Sequence, residues 1–393
     1  MKKTLFRYFV SGQPNELVPG SGVWNIPLSG NSHLFGRKSS AARDSADDSG
    51  PTIGAYLSGC AAFLGQSGYA FLLKGISACR NINTALDDIR HIDLSLEKHG
   101  VCYHPVKVTV VTVDQSVCRL VLNGAVSENG LGLIEQEAQL MTRLGKLPAG
   151  QTLPGIYAAG FVQTNQAEIG FILGRWMTGF NEFHLTGDEG HQQVVVWEPD
   201  DVHVYYSLEE AKSIYAKAAE ILTGFYDLET GSQIFPWHHA AGDFIVKGGN
   251  GGFDLSLVTI RGYGSLSPFE PDTDDPAAHI LPSLFFFFLH MTFWLRLDRL
   301  DGVGDLVLAE DRVIPEIVSG FLKSLDEKSD GSAGHENLRS GFVRFFLQFG
   351  LAQLVELCEK VVPSYPALPE ETRLLMKNST GHCSILESAV KSV

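Results

Sequence analysis

From His104 the chain reads HPVKVTVVTVDQSVCRLVLNGAVS. Side chains along a strand alternate between its two faces. β-Branched residues fall at alternate positions on both sides of the DQS triplet, so residues 103 to 126 predict an antiparallel hairpin. The next stretch, GLIEQEAQLMTRL, changes period. It sets Leu133, Glu137, Leu140, Met141 and Leu144 on one face of a helix. LPGIYAAGFV and AEIGFILGRWM then read as strands, FNEFHLT as a loop, and QQVVVWEPD as a strand that opens a hairpin running on into DDVHVYY. From Ser207 the pattern is helical again, and Ser207 with Glu210 has the form of a capping box. Strands, a helix, strands and then helices predict an α+β chain rather than a repeated βαβ unit.

The flanks are read more coarsely. Residues 1 to 100 predict an N-terminal extension. It holds a polar loop (GRKSSAARDSADDSGP), an apolar glycine-laced stretch that is a buried helix or strands, and a helically spaced run, NTALDDIRHIDLSLEKHG. Residues 275 to 325 and 335 to 360 predict long apolar helices. The run ILPSLFFFFLHMTFWLRL carries Pro282, His290 and Arg296 and stands alone, so a buried core helix is expected rather than a membrane span. No signal-peptide pattern opens the chain.

Thirty basic against 45 acidic residues leave a net charge of −15. That is not the surface of a nucleic-acid or anionic-membrane binder. Cys60, Cys79, Cys102, Cys118, Cys358 and Cys383 form no CxxC pair, which predicts free thiols in a reducing, cytoplasmic setting.

One stretch carries candidate chemistry: PWHHAAGDFIVKGGNGGFDLSLVTIRGYG, residues 236 to 264. A polar loop leads into a short apolar strand, a glycine turn and a second apolar strand. With the IEQEAQLMTRL helix, the strands around it, the hinge-like FILGRWMTGFNEFHL and the long SLEEAKSIYAKAAEILTGFY helix, the layout over residues 103 to 360 resembles the bilobal protein-kinase-like superfamily, in its aminoglycoside- and choline-phosphotransferase branch. The resemblance implies an antiparallel-sheet N-lobe at 101 to 180, a mainly helical C-lobe at 181 to 393, and a nucleotide or other small ligand in an interlobe cleft. It aligns Glu137 with the N-lobe helix glutamate and Met177, Gly179 and Phe180 with the adenine-binding hinge. Asp243 takes the metal-binding asparagine position, and His238 the place of the catalytic aspartate.

The chain departs from that family at the residues that matter. The second strand ends in Thr259 or Arg261 where a metal-binding aspartate belongs. No glycine-rich phosphate loop or Val-Ala-x-Lys strand is present. Arg119, and after it Lys107, is the nearest cation for phosphates. Magnesium requires hard oxygen ligands, which Arg261 cannot supply. Arg261 is expected either to contact phosphate oxygens or to pair with Asp243. The expected function is therefore a pseudokinase that binds a nucleotide, a small ligand or a protein partner. The alternative is an atypical ATP-dependent phosphotransferase using His238, His239 or Asp243, with magnesium at Asp243. More remote is a metal hydrolase on His238, His239 and Asp243.

Three other stretches have plainer readings. KGGNGG predicts a hairpin turn, because its glycines supply positive φ. LRLDRLDGVGD predicts the end of a helix, stopped at Gly302, with Arg296 and Arg299 pairing the interleaved Asp298, Asp301 and Asp305. FNEFHLTGDEGH predicts a polar loop that brings Glu182 and His184 to the mouth of the cleft.

Overall fold

The computed structural model describes residues 5–28, 50–98, 102–199, 202–238, 242–249, 252–266, 278–330 and 337–393. The polar loop at 36 to 51, apart from its last two residues, and His239 lie outside the described residues. The chain divides into two compact units. Unit 1 comprises Met1–Arg143 and Pro154–Thr178; unit 2 comprises Leu144–Leu153 and Gly179–Val393.

Unit 1 is built on a mixed six-stranded sheet. Its strands are β1 (Phe6–Val10), β2 (Ile89–Leu96), β3 (His104–Thr112), β4 (Val117–Ala125), β5 (Ile156–Gln163) and β6 (Glu168–Arg175), in the order β1-β2-β3-β4-β6-β5. Only the β1–β2 pair is parallel. The β3–β4 hairpin is the one the alternation predicts. At its turn Asp114 accepts from the Ser116 amide at 3.1 Å and from the Thr112 hydroxyl, and Gln115 takes φ 66°. Helix α1 (Ile53–Arg80) covers one face of the sheet. Tyr56, Cys60, Phe63 and Ile76 pack there on Val106, Val108, Leu120, Leu122 and Phe171. The helix is broken at Gln66–Tyr69, where Ser67, Gly68 and Tyr69 all have positive φ. Helix α2 (Glu128–Leu144) packs on the opposite face through Ile134 and Ala138, against Tyr103, Ala125 and Ile172.

Two expectations fail here. Residues 1 to 100 supply two strands of the sheet and the helix that covers it, so they are not an extension apart from it. Among its described residues, the run at 83 to 100 holds one 3-10 turn, Leu86–Asp88, and then strand β2 rather than the expected helix. A bulge between Ile89 and His91 brings Ile89 to the same buried side as Ile92, Leu94 and Leu96, and that spacing mimics a helical face.

After its first segment, Leu144–Leu153, unit 2 continues with the antiparallel sheet β7 (Glu182–Thr186), β8 (Gln193–Trp197) and β9 (His203–Ser207). FNEFHLT is thus largely strand rather than loop. Short α3 (Leu208–Ala211) follows, and the Ser207–Glu210 capping box forms as expected. Then come α4 (Ser213–Gly224), β10 (Ser232–Ile234), β11 (Phe244–Gly249), β12 (Gly252–Leu257) and β13 (Tyr263–Ser265). Strands β11 and β12 form the KGGNGG hairpin, with Gly249 opposite Gly252, and β10 pairs with β13.

The predicted long helix of 275 to 325 is two helices. Between α5 (Ile280–Trp294) and α6 (Ile314–Asp330) lies a hairpin of β14 (Leu297–Arg299) and β15 (Leu306–Leu308). Asp301 and Gly302 turn that hairpin with φ 51° and 70°. Three charged side chains of LRLDRLDGVGD reach partners outside the run, while Asp298 also accepts from the Arg299 amide and Arg299 also donates to the Gly304 carbonyl within it. Arg296 bonds Asp311 at 2.6 Å, Arg299 lies 3.8 Å from Glu370, and Asp298 accepts from the Leu185 amide at 2.7 Å. Helices α7 (Leu338–Phe346), α8 (Leu351–Val361), α9 (Pro369–Lys377) and α10 (Ser379–Lys391) complete the unit.

Helix α5 is buried along nearly its whole length, and Phe285 and Phe288 anchor an aromatic core with Phe321, Phe342 and Phe346. Among the described residues no single helix is long and apolar enough to cross a membrane. The apolar pair Leu338–Phe346 and Leu351–Ser364 is bent by 104°.

Candidate functional site

The loop before β11 and the segment after β12 are adjacent because the hairpin returns the chain. The Asp243 carbonyl accepts from the Val258 amide at 2.8 Å, which sets Thr259, Ile260 and Arg261 beside Asp243. The Asp243 side chain then closes the arrangement. Arg261 donates through Nη1 to Oδ2 at 2.8 Å and through Nη2 to Oδ1 at 2.6 Å. The Thr259 hydroxyl donates to Oδ1 at 2.5 Å, and the His238 amide donates to Oδ2 at 2.8 Å. A carboxylate has about four lone-pair sites, and here four donors occupy them. Asp243 is 1% exposed and the Arg261 side chain 20%.

Of the two roles open to Arg261, the structure realises the ion pair. In this arrangement Asp243 has no lone pair left for a metal, and a magnesium ion would have to displace the guanidinium. Among the described residues no three His, Cys, Asp or Glu side chains gather where a metal ion could sit.

The His238 ring is partly buried. It lies edge-on to Trp294 at 6.1 Å, with Nε2 3.8 Å from Glu371 Oε1. Glu371 is itself buried, and its other oxygen caps α9 by accepting from the Leu368 amide at 2.8 Å. The Trp294 indole donates to the Trp237 carbonyl at 2.9 Å. On the far side, Gly262 permits a close approach: a Cβ there would meet the Phe235 carbonyl oxygen at 2.3 Å. The loop is therefore held at His238, at Trp237 and at Asp243.

Glu371 and Trp294 are the neighbours that sequence reasoning missed. The Pro369-Glu370-Glu371 run signals a helix start, but nothing in it points across more than a hundred residues to His238.

Of the remaining predicted residues, Arg119, Lys107, Glu137 and Met177 belong to unit 1. Arg119 is exposed on β4, opposite Thr109 of β3. Lys107 pairs with Glu97 at 2.9 Å and lies over the Trp176 ring at 5.4 Å. Glu137 is buried on α2 and accepts from the Tyr103 hydroxyl. Met177 is half-buried just past β6, and Gly179 takes φ 81°.

His184 is corrected. It is 2% exposed, 3.3 Å from Asp298 through Nδ1, and its ring centroid lies 4.5 Å from that of Trp197. It belongs to the interior of unit 2, so it cannot meet a substrate at the surface. No protein-family model matches the chain, and no curated protein matches it.

Proposed function

We propose that this chain is a kinase-like protein that works by binding rather than by phosphoryl transfer, a pseudokinase in function. One observation carries the reading: the Asp243 carboxylate is neutralised and saturated by Arg261, Thr259 and the His238 amide. Phosphoryl transfer depends on cations at the phosphates, mostly magnesium held by carboxylates. The resemblance puts Thr259 or Arg261 at the second metal ligand's position, and Arg261 neutralises Asp243, the first. The layout supports the kinase-like part of the reading. The β3–β4 hairpin and β6 share one antiparallel run of the sheet, and the helix carrying Glu137 packs on it. The ligand class is a nucleotide bound without magnesium, with Arg119 as the cation for its phosphates. A small molecule or a protein partner takes the same role if nucleotides do not bind.

The test is a thermal-shift titration with ATP and with ADP, each with and without magnesium, alongside an ATP-turnover assay. A ligand bound only by the folded state raises its stability. The expected result is a shift that ignores magnesium, with no turnover. Turnover that needs magnesium and is lost in Asp243→Asn overturns the reading in favour of an atypical phosphotransferase. No shift with any nucleotide removes nucleotide as the ligand.

A further inference from the structure

Cysteines meet in pairs: Cys118 lies against Cys79, and Cys383 against Cys358. Cys358 on α8 and Cys383 on α10 lie 25 residues apart in sequence, yet their sulfurs are 3.3 Å apart. Both are buried, and α8 and α10 pack directly on each other. A disulfide needs an S–S distance of about 2.05 Å between cysteines whose Cβ atoms lie about 3.5–4.5 Å apart. Sulfurs already in contact on adjoining helices need to close by only about 1.3 Å to reach that bond, a distance that side-chain rotation and a slight helix shift supply. A soft-metal site is not the better use of the pair, since no third ligand of the His, Cys, Asp or Glu type joins a cluster here among the described residues.

We infer that Cys358 and Cys383 are a reversible thiol-oxidation site, at which a low-molecular-weight disulfide such as oxidised glutathione converts them to an intramolecular disulfide that clamps α8 to α10. The steps balance. One cysteine thiolate attacks the oxidant, forming a mixed disulfide and releasing one reduced thiol. The second cysteine thiolate then attacks the protein sulfur of that mixed disulfide and expels the other. The two protein thiols give up two protons and two electrons, and the oxidant takes them.

Burial sets the speed. The Cys358 thiol is held above its ordinary range, first by the contact with Cys383 and then by burial, so thiolate is scarce while the helices are closed. Oxidation therefore proceeds through moments when α8 and α10 part, and it is slow. This inference stands apart from the proposed function; neither needs the other.

The experiment incubates the full chain, under native conditions, in glutathione buffers of rising oxidised fraction. Free thiols are then alkylated, and the disulfides are mapped by mass spectrometry. The expected product links the Cys358 and Cys383 peptides. It raises the thermal midpoint by about 5–10 °C, as a cross-link closing a loop of this size in a unit of this size should. Dithiothreitol reverses the rise, and Cys358→Ala and Cys383→Ala never show it. Three results overturn the inference: Cys358 and Cys383 stay reduced while other thiols are modified, their disulfide forms only in denatured chain, or the disulfide lowers the midpoint.

Discussion

Each unit contains a two-pronged arginine–aspartate pair, and by distance alone the two are near copies. Arg7 meets Asp93 on the sheet of unit 1 at 2.6 and 2.7 Å. Arg261 meets Asp243 in unit 2 at 2.6 and 2.8 Å. Water separates them. The side chains of the first pair are 40% and 21% exposed, those of the second 20% and 1%. In water-filled surroundings such a pair is screened by solvent and salt, so it adds little. In the interior the charges cannot be left singly, so each partner requires the other, and further donors such as Thr259 and the His238 amide complete the shell. Geometry therefore does not rank ion pairs, but burial does, and only the buried pair organises a loop.

The contrast is sharpest when each arginine is removed. Arg261→Ala leaves Asp243 buried without its cation and should cost about 3–5 kcal/mol in urea denaturation. Arg7→Ala should cost at most about 1 kcal/mol, and 1 M salt should erase most of that difference while leaving the Arg261 effect standing. Equal effects would break the comparison.

Buried histidines extend the same contrast to pH. His290 is pushed well below its usual value by burial; His382 likewise by burial and then by Arg296, whose Nη1 donates to its Nδ1 at 3.0 Å. Both are therefore neutral in the folded protein, while the unfolded chain takes up their protons below about pH 6.5. Their stabilisation is full above that pH and is lost as pH falls below it, by about 1.4 kcal/mol per pH unit for each group. Denaturation midpoints between pH 7 and 5 should show this, and His382→Gln should roughly halve the slope due to the pair. An unchanged slope refutes the assignment.

A smaller effect separates two glycines beside the Arg261 segment. Gly262→Ala drives a Cβ into the Phe235 carbonyl, for a loss of about 1–3 kcal/mol. Gly264→Ala has open space around its Cβ and should change stability by less than about 0.5 kcal/mol. Thermal melts of the two variants decide it.

Much of the local architecture was readable in the chain itself. Strict alternation around Asp114–Ser116 is strand periodicity, and the Ser207–Glu210 spacing is a helix start, because both depend on atoms a few residues apart. Where local spacing was ambiguous, the reading failed. A single bulge made Ile89–Leu96 look helical, and the alternating charges of LRLDRLDGVGD suggested arginine–aspartate pairs inside the run, whereas Arg296 and Arg299 meet Asp311 and Glu370 outside it.

The candidate site divides the same way. Its residue types and their order in PWHHAAGDFIV and TIRGYG were determined by sequence: an acid at Asp243 and an arginine at Arg261. Whether Arg261 turns outward to a ligand or inward to Asp243, whether His184 faces solvent or Asp298, and that Glu371 stands beside His238 were decided only by the tertiary structure. The reason is physical. A charged side chain takes its role from the solvent it loses and the partners it gains, and both are set by segments distant in sequence that packing brings together.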